Sequence, residues 1–172
     1  MTPNQVSIIS FVMAIFSFLS FIYNWNITAG LLAQLSSIID GVDGNLARLK
    51  GMASEFGGFL DSILDRYADI LLMLGLTIWS ASHELYPYVW LVGFLSITGT
   101  IGVSYSRARV SAELRRHFDR RFLSMASRDI RLFVVMIGAI IGQGYITLIV
   151  IAALTHLIII SRLFSAYRHS HR

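Results

Sequence analysis

Asp40, Asp43, Asp61 and Asp65 are the residues whose types and spacing could do chemistry. Asp40 and Asp43 stand three apart, and Asp61 and Asp65 four apart, so on helices each pair shares one face. All four lie in stretches that otherwise read as membrane-spanning. A carboxylate at bilayer depth costs roughly 2.5–3.5 kcal/mol even on the lenient insertion scale. The nearby Arg48 and Arg66 supply too little positive charge to offset four of them. One or two bound divalent cations would supply the rest. Hard cations such as Mg²⁺ or Mn²⁺ take oxygen ligands, and the absence of histidine from the cluster argues against zinc.

The elements that must position these acids are helices in a bilayer. The chain has 172 residues, of which 55% are hydrophobic and 14% charged, with a mean hydropathy of +0.66. Soluble domains carry roughly 25% charged residues. The apolar runs approach the roughly 20 helical residues needed to cross a bilayer. The expectation is an all-α polytopic membrane protein with six transmembrane helices: about Asn4–Trp25, Ile27–Leu49, Glu55–His83, Pro87–Arg109, a short Asp129–Gly142, and Ile146–Tyr167. Cysteine is absent, which excludes disulfides and thiolate metal sites. Met1 leads almost directly into an apolar run, without the basic lead and cleavage site of a signal peptide.

Charge sorts by side. The turns near Asn24–Asn26, His83–Pro87 and Gln143–Tyr145 hold no Lys or Arg, whereas Arg48, Lys50, Arg107, Arg109, Arg131, Arg162, Arg168 and the Arg-rich Ser111–Arg128 stretch lie at the opposite ends. The positive-inside rule places those ends, both termini and the acidic cluster at the cytoplasmic face of the cell membrane. The basic pI of about 9.8 fits anionic headgroups or an anionic substrate. Nucleic acid is not expected, because no basic soluble domain with interleaved aromatics is present. Membrane lipids are the expected surroundings.

A short Gly51–Ser54 turn would make the second and third helices antiparallel, so that Asp40 and Asp43 face Asp61 and Asp65 at similar depth. Gly41, Gly44, Gly57 and Gly58 remove bulk beside the acids. Small residues let membrane helices approach closely, and they also leave room for a ligand.

From Asp40 to Asp65 the chain fits D-x2-D-G-x2-A-R-x8-G-x3-D-x3-D, with Asp40, Asp43, Gly44, Ala47, Arg48, Gly57, Asp61 and Asp65 at the fixed positions. The segment resembles the signature of the CDP-alcohol phosphotransferase family, and the six-span layout extends the likeness over residues 1–172. The resemblance implies transfer from a CDP-linked donor to an alcohol acceptor, with release of CMP. Asp40, Asp43 and Asp61 would hold a metal pair with the donor's diphosphate. Asp65 would be the general base, also touching the second metal. Gly44, Ala47, Arg48 and Gly57 would line the cytidine and diphosphate pocket, and a homodimer is implied.

Members that take a phosphorylated acceptor look similar at S-Y-S-R-A-R and S-R-D-I-R, so Arg107 and Arg128, then Arg109 and Arg131, are expected to bind the acceptor phosphate. The same arginines would also serve as positive-inside anchors. The stretch Met52–Asp69 looks most like archaeal di-myo-inositol-phosphate-phosphate synthases. That favours CDP-inositol as donor and inositol phosphate as acceptor, in a domain cut from a longer chain with an N-terminal soluble nucleotidyltransferase. The alternative is a phospholipid synthase using CDP-diacylglycerol with inositol phosphate or glycerol phosphate. A divalent-cation transporter would also line intramembrane acids, but it has no need of Arg48 and Gly57 at these offsets. Asp69 extends the Asp61/Asp65 face and is expected to pair with an arginine such as Arg66 or to face a polar cavity. His156 is expected to be hydrogen-bonded within the bundle, and Gly99, Gly102, Gly138 and Gly142 to be packing positions.

Overall fold

The computed structural model describes residues 2–49, 54–109 and 127–170, with side chains of 43–49 and 169–170 left aside. The described residues form six helices: α1 (Pro3–Ile22), α2 (Asn26–Leu49), α3 (Glu55–His83), α4 (Val89–Arg109), α5 (Arg128–Ile141) and α6 (Gly144–Ser170). Around the bundle the packing order is α1, α2, α5, α6, α4, α3 and back to α1, with α3 also touching α6 across the middle. The core holds Phe21, Leu72, Met73, Leu76, Leu132, Val135, Leu148 and Ile151.

Among the described residues three helices are long and apolar enough to cross a membrane: Pro3–Ile22, Val89–Arg109 and residues Gly144–Arg168 of α6. With its apolar outer surface the protein is an integral membrane protein. The expectation of six spans meets this only in part, for physical reasons. Aspartates dilute the apolar character of α2 and α3, and α5, with 14 residues, is about 21 Å long at 1.5 Å per residue.

Local chemistry sets the helix ends. Thr2 and Gln5 form a capping box at α1, with Pro3 in the first turn. Ser54 caps α3 by accepting from Gly57 N at 3.0 Å. Asn24, at φ 66°, makes the turn into α2. Gly142, expected as a packing position, is instead the left-handed cap of α5 at φ 75°, where an added Cβ would meet no described atom within 4 Å. Packing does explain Gly99 and Gly138, where a Cβ would collide with Thr155 and Thr147 respectively. At Gly30 a Cβ would lie 3.0 Å from Ala139 Cβ and 3.1 Å from the Met136 carbonyl, so its absence lets α2 and α5 approach.

Serines tie the bundle where no water competes. Ser10 and Ser36 exchange hydrogen bonds to each other's carbonyls at 2.9 Å, and Ser17 donates to Ala29 O at 2.7 Å. His156 Nδ1 contacts Ala152 O at 2.9 Å, one turn back on its own helix.

Candidate active site

Five helices carry a buried stripe that ends in charge. On α2, Ala29, Ala33 and Ser36 lead to Asp40. On α3, Trp79, Leu76 and Leu72 lead back to Asp69, Asp65 and Asp61. On α4, Ser96, Thr100 and Val103 lead to Arg107; on α5, Ala139, Val135 and Leu132 lead back to Arg131 and Arg128; on α6, Leu148, Thr155 and Ile158 lead to Arg162. The stripes follow helical spacing, so the apolar face that buries the core also carries these charges, which are buried or half-buried except for exposed Arg107. Alternating chain direction brings these charged ends together at one end of the bundle.

Asp40, Asp61 and Asp65 each offer a carboxylate oxygen within 4.8 Å of the others'. Arg128 reaches in from the first turn of α5. Its Nη1 lies 2.6 Å from Asp40 Oδ2 and 2.7 Å from Asp65 Oδ1, and its Nε lies 3.2 Å from Asp69 Oδ1. Arg66 Nη2 lies 3.2 Å from Asp65 Oδ2, so both oxygens of Asp65 meet a guanidinium. Ser10 Oγ approaches Asp40 Oδ1 at 3.5 Å.

Asp69 does not pair with Arg66. It is 2% exposed and lies between two arginines of α5, Arg128 and Arg131, with Arg131 Nη2 at 3.1 Å from Oδ2. Arg66 projects outward, beyond the stripe that carries Asp69 into the core. Arg131 also donates from Nη1 to Thr100 O at 3.2 Å. The start of α5 is further pinned by Ser37, which donates to Asp129 at 2.7 Å.

The remaining expected residues are distributed as follows. Asp43, Gly44, Ala47 and Arg48 lie on the α2 backbone, but their side-chain environment is outside the described residues. The Gly51–Ala53 part of the turn and residues 111–126 of the Arg-rich stretch are likewise outside. A Cβ at Gly57 would lie 2.9 Å from Asn4 Oδ1 and 3.0 Å from Ser54 Oγ, whereas at Gly41 and Gly58 it would meet no described atom within 4 Å. Arg107 is exposed at the end of α4 and acts electrostatically on both Arg131 and Arg162. The Arg109 guanidinium lies 5.9 Å from the ring centroid of exposed Tyr105.

Arg162, read from sequence only as one of the positive-side residues, is 5% exposed. Its Nη1 donates to Val103 O at 2.7 Å and to Ser106 Oγ at 2.5 Å, while Nε and Nη2 are buried without a hydrogen-bond partner among the described residues. Its position four residues past Ile158 on the α6 stripe is the signal that could have found it.

The donor set fits a hard divalent cation. Three half-buried carboxylates repel one another at this spacing, and the ligand atoms are all oxygen. Such an ion would be held by Asp40, Asp61 and Asp65.

Comparison with known proteins identifies the family. The profile of the CDP-alcohol phosphatidyltransferases matches residues 1–160, and the chain belongs to that family. It is 33% identical to the archaetidylinositol phosphate synthase of Pyrococcus horikoshii, over 96% of this chain and 83% of that one. It is 31% identical to the bifunctional IPC transferase and DIPP synthase of Aquifex aeolicus, covering 97% of this chain but only 39% of that one. The fold also matches the phosphatidylinositol phosphate synthase of Mycobacterium tuberculosis, solved with manganese and citrate, at TM-score 0.76 and 22% identity over 97% of this chain and 83% of that one. The same enzyme with CDP-DAG bound gives TM-score 0.76, over 97% of this chain and 87% of that one.

Proposed function

We propose that this protein transfers a phospho-alcohol group from a CDP-linked donor to a phosphorylated alcohol of the inositol phosphate type, releasing CMP. The observation that carries the proposal is the convergence of Asp40, Asp61 and Asp65 within 4.8 Å beside a cluster of inward arginines. Acids of this kind suit a cation-bound diphosphate, and arginines suit a second, separate phosphate.

The acceptor hydroxyl attacks the donor phosphorus that bears the alcohol. A new P–O bond forms, the bond to the CMP oxygen breaks, and the hydroxyl proton passes to the Asp65 carboxylate. Phosphoryl transfer asks mainly for positioning and electrostatic stabilisation. Asp40, Asp43 and Asp61 hold the donor end, with Gly44, Ala47, Arg48 and Gly57 around the nucleotide. Arg107 and Arg128, with Arg109, Arg131 and the buried Arg162, form the basic side that receives the acceptor phosphate. One or two Mg²⁺ or Mn²⁺ ions would neutralise the diphosphate and stabilise charge on the leaving CMP.

The site opens to the cytoplasm in this proposal, with six helices crossing and both termini on that side. Exposed Tyr23, Trp25, Tyr86, Tyr88 and Trp90 at one end, and Tyr67, Tyr105 and Tyr167 at the other, support two interfacial belts. A homodimer is part of the same proposal.

Two donor tails compete. The names of the bifunctional relatives favour CDP-inositol, and the Pyrococcus relative, matched over 83% of its length, favours a lipid-linked donor. Purified protein given Mg²⁺, inositol phosphate and either CDP-inositol or CDP-diacylglycerol decides between them. CMP release with one donor alone assigns the tail. Silence with both discards inositol phosphate as the acceptor.

A further inference from the structure

We infer that Asp69 is a positioning residue of the acceptor site: it anchors the Nε edge of Arg128 so that the terminal nitrogens face the reaction space, and Arg131 is the fixed counter-charge that holds Asp69 in place. The inference rests on the proposal that Arg128 binds an acceptor phosphate.

Asp69 lies outside the D-x2-D…D-x3-D pattern, yet among the described residues it is the most deeply buried carboxylate of the site, at 2% exposure. Both of its oxygens are committed, Oδ1 to Arg128 Nε at 3.2 Å and Oδ2 to Arg131 Nη2 at 3.1 Å. Arg131 is 4% exposed and spends a further nitrogen on Thr100 O at 3.2 Å. It is thereby tied to α3 and α4 together. Arg128 differs in kind. Its Nη1 points away from Asp69 into the gap between Asp40 and Asp65, where the donor and acceptor must meet. An arginine side chain has large rotational freedom, and a guanidinium gripped at Nε loses most of it while its Nη1 is held toward Asp40 and Asp65. Misplacement by about 1 Å in such a group can cost on the order of a hundredfold in rate.

The test uses the full chain in detergent or liposomes and measures CMP release while acceptor and donor are varied separately. Asp69→Asn keeps the shape and removes the charge. Its acceptor KM should rise about tenfold or more, the effect of losing a charge-assisted hydrogen bond. The donor KM should rise less than the acceptor KM, because Asp69 reaches Asp40 and Asp65 only through Arg128. Lysine has no Nε edge for Asp69 to grip, so in an Arg128→Lys background Asp69→Asn should add less than about twofold. Asp69→Glu keeps the charge and shifts the anchor, and it carries the test if the asparagine variant loses its fold; its acceptor KM should rise severalfold, with the donor KM rising less. An unchanged acceptor KM in Asp69→Glu, equal rises in both KM values, or full additivity with Arg128→Lys would overturn the inference while leaving the proposed reaction intact. If neither inositol phosphate nor glycerol phosphate supports turnover by the unaltered protein, the acceptor proposal itself fails and the inference falls with it.

Discussion

Replacing Arg128 by glutamine removes the one side chain that, among the described residues, touches Asp40, Asp65 and Asp69 together. At an effective dielectric of about 20, two unit charges 4 Å apart interact by about 4 kcal/mol, but desolvation offsets much of this. Breaking a buried pair by deleting one partner costs about 3–5 kcal/mol. Asp40 and Asp65 are 21% and 16% exposed, so the low end applies to their share. A loss of about 3 kcal/mol in a chain of this length lowers Tm by about 6–12 °C. The deficit should narrow when Mn²⁺ is added. The ion and the guanidinium are alternative counter-charges for the same carboxylates, so the variant binds the ion without competition. Ligand at 100 times its Kd stabilises a protein by about 2.7 kcal/mol. Thermal unfolding of purified protein with and without Mn²⁺ should therefore show a larger Mn²⁺-induced rise in the variant than in the parent. A fall in Tm below about 2 °C, where a surface substitution would lie, or equal Mn²⁺ shifts in both proteins, would refute the electrostatic reasoning.

Asp65→Asn should lower CMP release by about 10²–10⁴-fold, the usual contribution of a general base, while donor binding is retained; full activity in that variant would remove the assignment. Asp43→Asn should weaken Mn²⁺ and donor binding together in a calorimetric titration, and unchanged metal dependence would take Asp43 out of the ligand set. Gly142→Ala should cost about 1–2 kcal/mol because its φ of 75° is left-handed, read as a lower Tm with KM values unchanged.

The aspartate pattern was legible because one-turn spacing within α2 and α3 is local, and local spacing survives folding. Asp40, Asp61 and Asp65 are half-buried, in keeping with their place in stretches that read as membrane-spanning. The partners of Asp69 were not legible. Arg66 stands three residues away, whereas Arg128 and Arg131 are brought in by the packing of α5, with 59 and 62 positions between partners. Sequence offers local partners first, and only the bundle order selects between them. Arg162 was hidden for a related reason. A basic residue near a helix end can snorkel outward or turn into the core, and its face relative to Ile158 decides which. Gly142 read as packing because helix-interface and helix-ending glycines have the same composition, and only its φ separates them. The six apolar stretches were visible, but hydropathy alone does not give α2, α3 and α5 the same standing as α1, α4 and α6.

The central claim is metal-dependent release of CMP from a CDP-linked donor by the Asp40–Asp61–Asp65 cluster. Its most direct test is CMP release by purified protein, stripped of metal with EDTA and then titrated with Mg²⁺ or Mn²⁺, offering inositol phosphate with CDP-inositol and with CDP-diacylglycerol in parallel. No CMP before metal, saturable CMP release after it with at least one donor, and none in Asp61→Asn is the predicted result. CMP release that survives EDTA, or that persists undiminished in Asp61→Asn, would contradict it.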